Sequence, residues 1–108
     1  MKIDALVDTG SSLIEPISGK PAAVLDKGIF ENLFSQEKPA GFRVIPYRTI
    51  DKKAGILPGY PIPYMRVEWK GMYKEFQNVY VGIRQEMEEG MPYKMILNPE
   101  MLKERKTG

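Results

Sequence analysis

Nine prolines and ten glycines are spread along this chain, and no stretch gathers them into a linker. Proline removes a backbone donor, and glycine weakens the interior of a helix or strand. A chain punctuated this often reads as many short strands joined by turns, not as long helices. At 108 residues it makes one domain, residues 1–108, large enough to bury its own core.

The apolar runs follow the same reading. Ile3 to Val7 is expected as a strand that runs into the turn Asp8-Thr9-Gly10-Ser11-Ser12. Leu13-Ile14 leaves that turn, Glu15 to Pro21 is a loop, and Ala22 to Leu25 is a short strand. Asp26 is a good N-cap, with Ile29, Phe30, Leu33 and Phe34 at helical spacing behind it. Phe42 to Ile50 reads as a strand whose Pro46 marks it as an edge or a projecting hairpin. Asp51 to Gly55 is a polar turn, and Ile56-Leu57 starts the return arm. Tyr64–Trp69, Tyr73–Ile83 and Tyr93–Leu97 are the remaining strands, with Lys70-Gly71 as the turn between the first two. Asn98 can cap a closing helix with Pro99 at its first position, running from Glu100 to about Lys106.

One carboxylate, that of Asp8, stands in a tight turn at the end of an apolar strand. This is the layout of an aspartic peptidase loop. Hydrolysis by carboxylates needs two of them about one water apart: one takes a proton from water while the other gives one to the substrate carbonyl. Like charges that close cannot both ionise, so the pair shares a proton and titrates as a unit. The motif occurs once here, so the second carboxylate must come from another copy of the chain. In this reading Asp8 is catalytic, and Thr9 locks the turn against the partner subunit. Gly10 lets backbone N–H groups approach the carboxylates, and Ser11 donates a further hydrogen bond. The same residues also make ordinary turns.

Composition removes competing chemistries. The chain has no Cys and no His. That excludes disulfides, thiolate metal sites, Cys nucleophiles and the Ser-His-Asp and Cys-His mechanisms. No cofactor and no metal is expected. Net charge is only +2, with no basic stripe, so no nucleic-acid partner is expected. No run approaches the roughly 18 apolar residues of a membrane span, and no signal peptide is visible. The Glu86, Glu88, Glu89 cluster reads as a solvated acidic loop. The cations Lys103, Arg105 and Lys106 read as favourable charges at a helix end.

Further segments resemble a known family. Ala5 to Gly10 followed by Leu13 to Pro21, then Val44 to Thr49 with Gly55-Ile56-Leu57, then Val81-Gly82-Ile83 and Ile96 to Leu102, resemble the pro-sigma-E processing peptidases of spore-forming bacteria. The resemblance implies a retropepsin-like fold: a mostly β, closed barrel with one or two short helices, a flap hairpin and half an active site per chain. It implies an aspartic endopeptidase active as a homodimer, with a protein substrate, a sigma-factor precursor. The Thr49–Leu57 hairpin is then the flap. Lys52, Lys53 and Gly55 lie at its tip, and Tyr47 and Ile56 line the substrate channel. An ordinary exposed hairpin is the alternative. Ile96-Leu97-Asn98 stands as the second wall of the site, where retropepsins have an apolar pair and a Gly. Ser11 replaces the Asn of the spore peptidases and is closer to pepsin-type loops. Family members carry an N-terminal multi-span membrane domain, so this chain is expected to be a cytoplasmic catalytic domain or a soluble relative, with membrane contact only through that missing region. A non-proteolytic dimerisation or peptide-binding module of the same fold is the competing reading.

Overall fold

The computed structural model describes residues 1–48, 54–85 and 90–103. Thr49, Lys52 and Lys53 of the expected flap, the Glu86, Glu88, Glu89 cluster, and Arg105 and Lys106 lie outside the described residues. The strands are β1 (Ala5–Val7), β2 (Ile14–Glu15), β3 (Lys20–Pro21), β4 (Ala23–Asp26), β5 (Arg43–Arg48), β6 (Ala54–Trp69), β7 (Met72–Arg84) and β8 (Met95–Leu97). One helix, α1 (Lys27–Leu33), follows β4, and a 3-10 turn (Pro99–Leu102) follows β8.

Six strands form one sheet in the order β1-β8-β4-β7-β6-β5, and β2 and β3 form a small ribbon. β1 runs parallel to β8, and β4 parallel to β7. The remaining pairs of the sheet are antiparallel. The sheet curls into half a barrel. Among the described residues β1 and β5 are its two free edges, so the closed barrel expected from the sequence is corrected to an open, curled sheet.

The return arm and the Tyr64 strand, expected as separate pieces, are one sixteen-residue strand despite three prolines. The register explains why. β6 pairs with β5 from Ala54 to Gly59 and with β7 from Gly59 to Trp69. Among the described residues only Gly59 has strand partners on both sides. Every other residue of β6, prolines included, lacks a described strand partner on at least one flank, and proline is tolerated where a strand is an edge. Pro58 lies before the first β7 pair, while Pro61 and Pro63 lie beyond the last β5 pair. The ladder skips Pro63 and Asn78, and Asn78 takes a left-handed φ of 53° there. Lys70 and Gly71, both at positive φ, close the β6–β7 hairpin as the two-residue turn such strands favour.

Asp26 caps α1 as its sequence position requires, its carboxylate accepting the Ile29 N–H at 3.2 Å. Phe30 carries the helix into the main core with Leu25, Val81, Leu97 and Met101. A second, smaller cluster joins Leu13, Ala22 and Ile45, with Leu57 and Tyr80 against it. This cluster ties the segment after the Asp8 turn to the base of the β5–β6 hairpin. Asn98 caps the closing turn through Glu100 N–H at 3.0 Å with Pro99 behind it, but the turn is 3-10 and only four residues long as described. No helix among the described residues is long and apolar enough to cross a membrane.

Candidate active-site loop

The loop from Asp8 to Leu13 is tied at both ends to the β8 junction. At its start the Asp8 N–H donates to the Leu97 carbonyl at 3.2 Å, carrying the β1–β8 pairing one residue further. At its end the Leu13 carbonyl accepts the Ala22 N–H at 2.9 Å and the Asn98 Nδ2–H at 3.0 Å. Within it the Ser11 N–H closes a four-residue turn on the Asp8 carbonyl at 2.9 Å, and the Gly10 N–H donates to Asp8 Oδ1 at 2.9 Å. A Cβ on Gly10 would stand 3.3 Å from that oxygen, so glycine keeps the N–H close to the carboxylate.

Asp8 is half-buried, whereas Thr9 and Gly10 are exposed. Among the described residues Ser11 bonds Asp8 through its backbone N–H, which donates to the Asp8 carbonyl. Leu6, Val7 and Ile14, which flank the loop in sequence, leave apolar surface exposed, Val7 at 43%. Asp4, four residues upstream of Asp8, is exposed.

Glu15 was not singled out by the sequence. It is 1% exposed and accepts the backbone N–H groups of Ile17 and Ser18. Burial by itself raises its carboxyl pKa. The N–H groups of Ile17 and Ser18, the Ser18 hydroxyl and the Arg43 charge outweigh that, and hold the group below the ordinary glutamate value. Glu15 therefore stays ionised inside the β2–β3 ribbon and fixes the chain that leaves the Asp8 loop. Its only sequence signal is a carboxylate placed just before a Pro-x-Ser-Gly turn.

The β5–β6 hairpin has two unlike faces. Ile45, Leu57 and Tyr47 share one, and Ile45 is fully buried beneath it. Tyr47 lies across Gly55, where a Cβ would come 2.6 Å from the ring, so a larger residue there would displace the exposed tyrosine ring. Ile56 pairs with Pro46, on the opposite face from Tyr47, and is 67% exposed. Tyr47 and Ile56 thus do not line one wall together. On the β8 side, Ile96 pairs with both Leu6 and Val24, and Leu97 and Asn98 are buried. Two concavities lie elsewhere, at the β6–β7 turn beside Trp69 and Tyr73 and between α1 and Tyr60. Among the described residues no three acidic side chains gather in a way that could hold a metal ion.

The fold and loop define a mostly β domain that presents a single Asp-Thr-Gly turn at a sheet edge. Over residues 1–101 the chain matches the family model described as sporulation factor SpoIIGA, a peptidase family, and it belongs to that family. It is 28% identical over 81 residues to a Clostridium acetobutylicum protein named "Probable sporulation sigma-E factor-processing peptidase". The match covers 75% of this chain and 29% of that relative, so the chain spans under a third of the relative's length. No solved structure matches it significantly.

Proposed function

We propose that this chain is the catalytic domain of a retropepsin-like aspartic endopeptidase that works as a homodimer and processes a sigma-E precursor. One Asp8 from each subunit faces a shared water. One carboxylate accepts a proton from the water as it attacks the peptide carbonyl, and the other donates its proton to the carbonyl oxygen. The Gly10 N–H, donating to Asp8 Oδ1 at 2.9 Å, holds that carboxylate in its place on the turn. The substrate lies extended, held by main-chain pairing and covered by the β5–β6 hairpin.

The observation that carries this reading is the setting of Asp8. It is a single carboxylate on a clamped turn, at the free edge of the sheet, beside apolar side chains exposed in the lone chain. A second copy placed about a two-fold axis there covers that surface and supplies the second carboxylate. Family membership and the name of the Clostridium relative support peptide hydrolysis and the substrate class. The test is cleavage of a sigma-E precursor by the wild type and by Asp8→Asn, with sedimentation of both. The proposal expects dimers in both cases and cleavage only by the wild type. Equal cleavage by the two proteins overturns it. Dimers of the wild type that bind but never cleave the precursor favour the peptide-binding module.

A further inference from the structure

Two consecutive residues, Leu97 and Asn98, hold the two ends of the Asp8 loop. Leu97 does so with its backbone carbonyl. Asn98 does so with its side chain, across 85 residues of sequence. Its carboxamide is 98% buried with the rest of the residue, and both ends are used: Nδ2–H donates to the Leu13 carbonyl, and Oδ1 accepts the Glu100 N–H. Only one orientation of the amide satisfies both bonds. A flipped amide would set oxygen against the Leu13 carbonyl and N–H against N–H. The cap on the 3-10 turn thus orients the donor that reaches the loop. The Asn98 backbone is held as well, its carbonyl accepting the Met101 N–H at 2.9 Å.

We infer that Asn98 is a positioning residue for Asp8: its side-chain amide clips the end of the loop to the β8 junction and so sets where the carboxylate stands. The inference rests on the proposed peptidase reading for its kinetic part and on the fold alone for its structural part. Leu13 keeps the Ala22 N–H as a second donor, so loss of the clip loosens the loop without stranding the carbonyl. Carboxylate geometry matters steeply in such chemistry, since a misplacement of about 1 Å costs on the order of a hundredfold in rate.

Two variants separate the clip from the cap. Asn98→Ser keeps an oxygen for the Glu100 N–H but has no group that reaches Leu13. Asn98→Asp keeps the shape and the capping oxygen but replaces the donor by an acceptor. Both are assayed on a sigma-E precursor below their melting temperatures, and amide hydrogen exchange is followed in wild type and variants. The clip predicts a kcat lower by about tenfold to a hundredfold with KM changed by less than about twofold. It predicts faster exchange at the Gly10 and Ser11 amides and a slowly exchanging Asn98 side-chain amide in the wild type. Unchanged kcat in folded variants overturns the positioning role. A freely exchanging Asn98 side-chain amide in the wild type overturns the clip itself. A wild type that cleaves nothing refutes the peptidase reading alone, because the exchange measurements still decide whether Asn98 holds the loop.

Discussion

Gly59 is the residue at which β6 changes partners, and its substitution by alanine tests whether this crossing is as tight as the geometry indicates. It pairs with Arg43 on one side and Gly82 on the other. A Cβ there would meet Ile45 Cδ1 at 2.6 Å, Ile45 Cγ1 at 2.8 Å and the Arg43 carbonyl at 3.0 Å. Ile45 is fully buried against Leu13 and Ala22, and the Arg43 carbonyl belongs to the paired backbone of β5. Neither can move away freely. Overpacking of this kind costs about 1–3 kcal/mol. Alanine recovers about 0.4–1 kcal/mol by restricting the unfolded chain. The net expectation for Gly59→Ala is a loss of about 1–2 kcal/mol, or roughly 5–15 °C in Tm for a domain of this size. Ile45→Val removes the Cδ1 atom that makes the closest contact and by itself costs about 0.5–1.5 kcal/mol. The double variant should therefore be more stable than the sum of the two losses by at least about 0.5 kcal/mol. Urea unfolding of the four proteins measures this, with unchanged m-values as the check on the unfolded state. Strict additivity, or a Gly59→Ala protein as stable as wild type, refutes the packing argument.

Glu15→Gln removes an ionised carboxylate whose folded pKa lies below its unfolded value. Such a group contributes stability above its unfolded pKa and loses it as pH falls through the folded pKa. The variant should melt below wild type at pH 7, and the gap should close as pH falls below about 4; a gap that is constant with pH contradicts this. Lys74 donates to the Met101 and Lys103 carbonyls at 2.8 and 3.2 Å, tying the β7 strand to the end of the 3-10 turn. Lys74→Met should cost about 1–2 kcal/mol in urea unfolding while leaving the specific cleavage rate unchanged.

Local signals were legible in the chain and distant ones were not. Asp26 before Ile29 and Phe30, and Asn98 before Pro99, announce caps because a cap is a contact over three residues. Pro46 marks an edge because a missing N–H is a property of the residue itself, and β5 is indeed the last strand of the sheet. The unity of β6 was hidden because Gly55, Pro58, Gly59, Pro61 and Pro63 look like breakers until the partner change at Gly59 is known. The role of Asn98 toward Leu13 was hidden for the same reason, since its bond depends on a register set 85 residues away. The Asp8 loop itself was readable as a strand and turn, but the Ser11 N–H bond to the Asp8 carbonyl depends on the backbone path, which side-chain identity does not encode.

In the proposed dimer two copies build one site, each giving Asp8. Mixing wild type with Asp8→Asn at fixed total concentration, after exchange of subunits, measures whether the site is shared. If each site needs one intact Asp8 from both copies, cleavage of a sigma-E precursor follows the square of the wild-type fraction, falling to about a quarter at an equal mixture. Activity that falls in direct proportion to the wild-type fraction, to about half at that point, contradicts a shared site.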